Sequence, residues 1–348
     1  MKGFYQYLAP FAPDYSGAAC VFFGMDGLVV LCDPGGCSGN VCGYDEPRFY
    51  GSQQALFSAA IRDMDAILGK DDLLERKIVQ AASEREYRFI ALVGTPVVSV
   101  IASDLKGVAN LLSRKTGIAA VSVDTDGMKL YDTGAEKAYM ALLRLPGALE
   151  RVPSDGERLG VFGASPLEMP SRLSLDRFKE LVRRSFPSAS AAFYGGEPLP
   201  SLPDRTLAVS PSGLKACRFL KERFGIPYSV SFPMNPEFER VLNEARGRCG
   251  SKILIIHQQA AACALRSLLI ASGAGQRVDV GSWFMMDSEL AHDGDMHFDD
   301  EEEFIQRVSG GGYDVIIADP MMKNALRDCA AEWIDLPHYA VSGNLFAE

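Results

Sequence analysis

Four of the chain's eight cysteines, Cys20, Cys32, Cys37 and Cys42, lie before residue 43, and the stretch "CDPGGCSGNVCGYDEPR" carries three of them. Thiols this dense on a short turn read as an iron–sulfur ligand loop or a reactive-thiol site. Cysteines that only fill a core are usually scattered. Gly35, Gly36, Gly39 and Gly43 let the backbone curl and reach positive φ, as ligands converging from one stretch require. Cys20 and Cys37 are the first candidate metal ligands, and Cys42, in the same turn as Cys37, is the third. Cys32 ends the apolar run "LVVLC" and reads equally as strand core. Asp33 or Asp45 offers an oxygen ligand in place of a thiol. Next comes "GYDEPRFYGS", with Tyr44, Asp45, Glu46, Arg48 and Tyr50. It reads as a turn with an ion pair, or as a catalytic group in which Arg48, with Asp45 or Glu46, handles substrate charge or protons beside the cluster.

The other reactive side chains are less concentrated. Cys217, Cys249, Cys263 and Cys329 stand singly and read as small buried hydrophobes. The four histidines show no ligand spacing, although His257 ends a strand and faces a possible ligand crevice. "HDGDMHFDDEEEF" reads as a solvated loop running into the acidic first turn of a helix. Neither glycine-rich phosphate-binding signature is present.

These residues must be held by larger elements. The chain has 348 residues, 47% hydrophobic and 23% charged, as in ordinary globular proteins of two or three domains. A formal charge of −10 and a pI near 5.1 argue against nucleic acid as a partner. No apolar run spans a membrane and no signal peptide opens the sequence, so a cytoplasmic protein is expected. Short apolar runs alternate with helical patterns. Strands are expected at "RFIALV", "IAAVSV", "RLGVFG", "SAAFYG", "TLAVS", "IPYSVS", "KILIIH", "RVDVGSWF", "YDVIIAD" and "EWIDL". Helices are expected over 53–68, 103–115, 134–145, 212–224 and 259–271, with two more opened by Ser174 and by Asn235-Pro236. Such alternation means parallel sheets built from right-handed crossovers. Three α/β domains follow, 1–150 with the cysteine loop, 151–248 and 249–348. Ligands belong beyond the carboxyl ends of their strands, at "GTPVVS", "VSPSG", "HQQAAA" and "ADPMM".

The chain resembles component 1 of the nitrogenase family, which includes nitrogenase subunits, the dark protochlorophyllide and chlorin reductases, and the reductive cyclase of coenzyme F430 assembly. The carrying residues, in order, are "PDYSGAAC" ending at Cys20, "VVLCDPGGC" ending at Cys37, "GTPVVSVIASDLKGVANLL", "GLKACRFLKERFGIPYSVSFP" and "VIIADPMMKNALRDCAAEWIDLPHYAVSGNLF". The resemblance implies three Rossmann-like parallel-sheet α/β domains around a central cleft. It also implies an iron–sulfur cluster of the 4Fe-4S type near Cys20 and Cys37, with Gly36 and Thr95 beside it. Thr95 stands where the family has its third cluster cysteine, so the set is incomplete unless Cys32, Cys42 or a second chain completes it. Val209 and Phe346 fall where true nitrogenases hold their cofactor, so no iron–molybdenum cofactor and no dinitrogen reduction are expected.

The function so implied is the electron-receiving, catalytic component of an ATP-dependent two-component reductase. An iron–sulfur ATPase would be its partner, itself or a paralogue its dimer mate, and a small unsaturated molecule its substrate. Two other readings stand beside it: a non-catalytic scaffold for assembling a metal cluster or cofactor, and a cluster-free small-molecule-binding protein.

Overall fold

The computed structural model describes residues 5–346 except 55, 70, 152, 154–155, 198–200 and 247–250. Three parallel sheets form, one for each stretch of alternating strand and helix. The first unit runs α1 (Asp14–Phe22), β1 (Leu28–Leu31), α2 (Gly36–Asn40), β2 (Leu56–Ser58), α3 (Asp63–Ile67), α4 (Asp71–Ala82), β3 (Phe89–Val93), α5 (Pro96–Val100), α6 (Leu105–Thr116), β4 (Ala119–Val123) and α7 (Tyr131–Leu142). The second contains β5 (Glu157–Phe162), α8 (Leu175–Ser185), β6 (Ala189–Phe193), β7 (Arg205–Ala208), α9 (Leu214–Phe224), β8 (Tyr228–Val230) and α10 (Pro236–Ala245). The third contains β9 (Ser251–Ile256), α11 (Gln259–Ala271), β10 (Gly275–Ser282), β11 (Met296–His297), α12 (Glu301–Ser309), β12 (Val315–Ala318), β13 (Glu332–Asp335) and α13 (Tyr339–Ser342).

Strand order is β2-β1-β3-β4 in the first sheet, β6-β5-β7-β8 in the second and β11-β10-β9-β12-β13 in the third. Each order reverses once, between β1 and β3, β5 and β7, and β9 and β12. The crevice beyond the carboxyl ends at such a reversal is where α/β sheets hold ligands. Here those ends carry Cys32 and Thr95, Ser165 and Ser210, and His257 and Asp319.

Local signals fix many elements. Asp104 caps α6 by accepting from Gly107 N at 2.9 Å, Ser174 caps α8 and Asn235 caps α10. Gly117 and Gly225 end α6 and α9 in the left-handed conformation. Two expectations are corrected. The stretch 53–68 is not one helix: Leu56 and Phe57 pair with Val29 and Val30 to extend the first sheet, and only Asp63–Ile67 is helical. Backbone pairing with a buried strand outweighs the helical spacing of a few apolar residues. The acidic stretch 292–303 is not simply solvated. Asp295 is buried in an ion pair with Arg266 at 2.6 Å, and Glu301 accepts from the backbone amides of Gln6, Tyr7 and Leu8 at 2.7–2.9 Å. The acidic first turn of a helix is nevertheless present, in α12, capped by Asp300.

Within the first unit, α1 and α7 make a close crossing. A Cβ on Gly17 would overlap the carbonyl of Tyr131, and one on Gly134 would overlap that of Asp14. The helices therefore touch backbone to backbone, which only glycine allows. Their entries are tied as well. Asp14 N donates to Lys129 O at 2.9 Å, Tyr131 N to Ala12 O at 2.9 Å, and the Asp14 carboxylate accepts from Gly127 N at 2.8 Å. Gly17→Ala or Gly134→Ala is expected to cost at least about 2 kcal/mol by forcing the helices apart. Gly36→Ala, whose Cβ would meet nothing within 4 Å, is the control. Urea unfolding of the three variants checks this, and equal midpoints would contradict it.

Candidate functional site

Cys32 follows β1, and Asp33 then anchors the start of the cysteine loop. Its buried carboxylate accepts from Ser38 N at 2.7 Å and from Ser58 Oγ at 2.6 Å. Gly35, at φ +122°, turns the chain into α2, and a single π-helical turn, Val41–Asp45, follows. The loop is thus a short helix and a wide turn rather than a bare coil. A Cβ at Gly35, Gly36, Gly39 or Gly43 would meet nothing within 4 Å, so this surface lies open to close approach.

Cys32 and Cys20 lie on opposite faces of the first sheet. Cys32 packs with Leu28, Val30 and Ile90 on the α4–α6 face. Burial, with Asp33 and Asp71, pushes its thiol up to about 12. Cys20 is buried on the other side, among Tyr131, Leu167 and Tyr339. Its Sγ faces Asp45 O at 3.5 Å, and burial beside Glu46 holds the thiol well above its usual range. Cys37 and Cys42 are half-exposed. Burial raises both, and Tyr15 hydrogen-bonds Cys37 and draws it back. Thr95, fully buried, donates to Cys32 O at 2.6 Å. Among the described residues no three Cys, His, Asp or Glu side chains converge as a metal site. Cys37 and Cys42 stand half-exposed on the open glycine surface, and Cys20 is buried on α1 behind the loop.

The charged residues after the loop do come together. Asp45 accepts from Ser16 Oγ and Asn40 Nδ2, each at 2.6 Å, and burial lifts it to about 6 against those two bonds. Glu46 is buried and holds Arg48 through two bonds, Nε to Oε1 at 2.7 Å and Nη2 to Oε2 at 2.5 Å. The same Nη2 donates to Cys20 O at 2.7 Å, and the guanidinium lies over Phe23. A side chain at Gly196 would collide with Arg48. Glu46 and Arg48 form a locked, charge-balanced pair against the Cys20 backbone, and the Asp45 carboxylate lies beside them.

A second polar centre lies at the ends of the second and third sheets. Glu168 is buried and accepts from Ser212 Oγ at 2.6 Å, Ser210 Oγ at 2.8 Å and Tyr131 OH at 2.8 Å. Burial outweighs those bonds and raises its carboxyl to about 7. His338 Nε2 lies 2.9 Å from Leu167 O and therefore carries its proton, and burial lowers the ring to about 3. His257 stacks on it with ring centroids 4.0 Å apart. His257 does end a strand as expected, but its ring is enclosed, and neither nitrogen has a partner among the described residues. Sequence reasoning missed Glu168, Tyr131, Ser210, Ser212 and His338 as a group. "VSPSG" and "ADPMM" pointed to the right strand ends, and the same rule applied to "GASPLEMP" after β5 finds Glu168. Of the single cysteines, Cys217 is buried, Cys263 and Cys329 are half-buried, and Cys249 lies outside the described residues, as does part of the link around it.

The model of the nitrogenase component 1 type oxidoreductase family matches residues 13–244, from α1 into α10. Among solved structures, a chain of nitrogenase Cp1 at pH 6.5 matches with a TM-score of 0.66 and 13% identity, over 97% of this chain and 87% of that one. A chain of nitrogenase Cp1 at pH 5 gives 0.69 and 13%, over 97% and 85%. At such identity the likeness speaks for the fold. No curated protein sequence matches. No helix among the described residues is long and apolar enough to cross a membrane.

Glu168 makes the interior pH-sensitive. Its folded value lies above its ordinary 4.5, so its contribution to stability is complete below about 4.5 and is lost as pH rises through about 7. Relative to Glu168→Gln, the parent should lose stability across that window, by an amount on the order of a few kcal/mol. Urea midpoints from pH 4 to 8 check this, and parallel profiles would contradict it.

Proposed function

Because the chain belongs to the nitrogenase component 1 type oxidoreductase family, we propose that it is the electron-receiving, catalytic component of a two-component reductase. Its partner is an ATP-dependent iron–sulfur protein, and its substrate a small unsaturated molecule other than dinitrogen. The observation that carries this reading is the open face of the cysteine loop, where Cys37 and Cys42 stand half-exposed among glycines that leave room for close approach. Two thiols from each of two chains, the same protein or a paralogue, make the four-thiolate set of a 4Fe-4S cluster. Such a group, when bound, supplies one-electron transfer at low potential.

The remaining roles belong to the chain's own side chains. Tyr15 steadies Cys37 through its hydrogen bond. Cys20, buried on α1 behind the loop with its Sγ facing Asp45 O at 3.5 Å, is the further thiol the chain holds beside that face. Arg48, neutralised by Glu46, fixes the backbone of α1 at Cys20 and keeps that wall rigid. Asp45, balanced near 6 between burial and its bonds from Ser16 and Asn40, holds or releases a proton at its carboxylate as the reduction requires. Ser16 and Asn40 orient that carboxylate without neutralising it.

One observation favours a second reading, a scaffold that assembles and hands on a metal cluster. Thr95, at the position of the family's third cysteine, is buried and bonded to Cys32 O, so the ligand set is short by one thiol. Turnover separates the two: a reductase supplied with a low-potential partner consumes electrons in proportion to substrate, whereas a scaffold only exchanges metal.

Iron and acid-labile sulfide, measured on protein purified without oxygen, test the ligand assignment. The parent is expected to hold about two irons per chain, half of a four-iron cluster. Cys37→Ser and Cys42→Ser should lose most of that metal, and Cys32→Ser, on the far face of the sheet, should keep it. Absence of iron after anaerobic reconstitution, or full iron in the Cys37→Ser/Cys42→Ser double variant, would overturn the assignment.

A further inference from the structure

A cavity of about 590 Å³ opens between α6 and α7 over β4, the edge strand of the first sheet. Its volume lies within the range of small-molecule sites. β4 forms part of the floor, and four of its five residues are only half-buried, although β1 and β3 are wholly buried. Val98, Leu105 and Met140 supply an apolar flank.

The charges around it run against those of the whole protein. Lys106, Lys137, Arg144 and Lys215 line the cavity against two carboxylates, Asp104 and Asp124, in a chain whose formal charge is −10. Asp104 is already committed to capping α6. Lys215, which reaches in from α9 of the second unit, pairs with Glu136 at 2.9 Å, and Lys137 donates to the Asp124 carbonyl. Lys106 and Arg144 have no side-chain hydrogen bond or ion pair among the described residues. Many arginines elsewhere on this surface are matched: Arg177 and Arg184 to Glu180, Arg183 to Glu197, Arg218 to Asp287 and Arg307 to Glu303. Lys106 and Arg144 are thus two unmatched cations that face one concavity with an apolar wall. Fixed positive charge gathered in a cleft draws oxyanions to it, and guanidinium groups favour carboxylate and phosphate geometry.

The geometry points to a second ligand site, between α6, α7 and β4, for a small, multiply charged organic oxyanion, bound by Arg144, Lys106 and Lys137 with its body against Met140 and Leu105. The shared chemistry is the oxyanion, phosphate or carboxylate. The site stands independently of the cysteine loop, so metal content and anion binding fail or succeed separately.

Isothermal titration of the full chain at low salt, with inorganic pyrophosphate and separately with citrate, tests it. Saturable one-to-one binding of at least one probe is expected, weakened at about 0.3 M salt. Arg144→Ala and Lys106→Ala should each bind roughly tenfold more weakly, while Arg184→Ala, paired with Glu180, should bind as the parent does. Binding of pyrophosphate alone assigns a phosphate-bearing ligand, and of citrate alone a carboxylate-bearing one. All three residues are exposed, and circular dichroism verifies that the variants are folded. No saturable binding of either probe up to about 10 mM, or an equal loss in Arg184→Ala, would overturn the proposal.

Discussion

Backbone against backbone, α1 and α7 cross at Gly17 and Gly134, and most of what surrounds the two polar centres is referred to that contact. α1 carries Tyr15, Ser16 and Cys20 toward the cysteine loop. α7 begins at Tyr131, which donates to Glu168 in the second unit, and continues to Tyr139, Lys137 and, just beyond its end, Arg144. A separation larger by one methyl group would move Ser16 away from Asp45 and Tyr131 away from Glu168 together. Rigid close contact of this kind transmits position without needing any charged group.

Around the crossing, the interior holds polar groups in two ways. Glu46 and Arg48 cancel each other in a two-bond pair, which keeps a buried charge tolerable. Glu168 instead has, among the described residues, only hydroxyl donors and no cation, so burial drives its carboxyl toward the neutral form. Asp45 lies between these cases. The histidine pair, low in proton affinity and stacked, adds no charge to balance Glu168. The result is a protein whose fold is neutralised locally near the thiols and by protonation at the centre.

Much of this was legible in the sequence wherever the signal is local. α11 spans Gln259–Ala271 as its pattern predicts, and Asp104, Ser174 and Asn235 cap where their types suggest, because a cap depends on three or four neighbours. The sides taken by the thiols were half legible. Leu28, Val30 and Cys32 share one face by the two-residue period of a strand, which already sets Cys32 apart from the loop cysteines. The stretch 53–68 misled because β2 exists only through its pairing with β1, a contact made across more than twenty residues of chain. The Glu168 centre was hidden for the same reason. Tyr131, Glu168, Ser210 and His338 are each unremarkable residues, and only the meeting of three units makes them neighbours. Thr95 and Cys32, by contrast, are adjacent across β1 and β3, where the strand-end rule directs attention.

In the proposed function, two half-exposed thiols per chain, Cys37 and Cys42, hold a metal–sulfur group between two chains. Sedimentation velocity of anaerobically reconstituted protein, followed at 280 nm and in the visible band of the bound group, addresses it most directly. The visible band is expected to travel only with a species of two chains, and the metal-free protein to sediment more slowly. A visible band travelling with a single chain, or none at all, would contradict it.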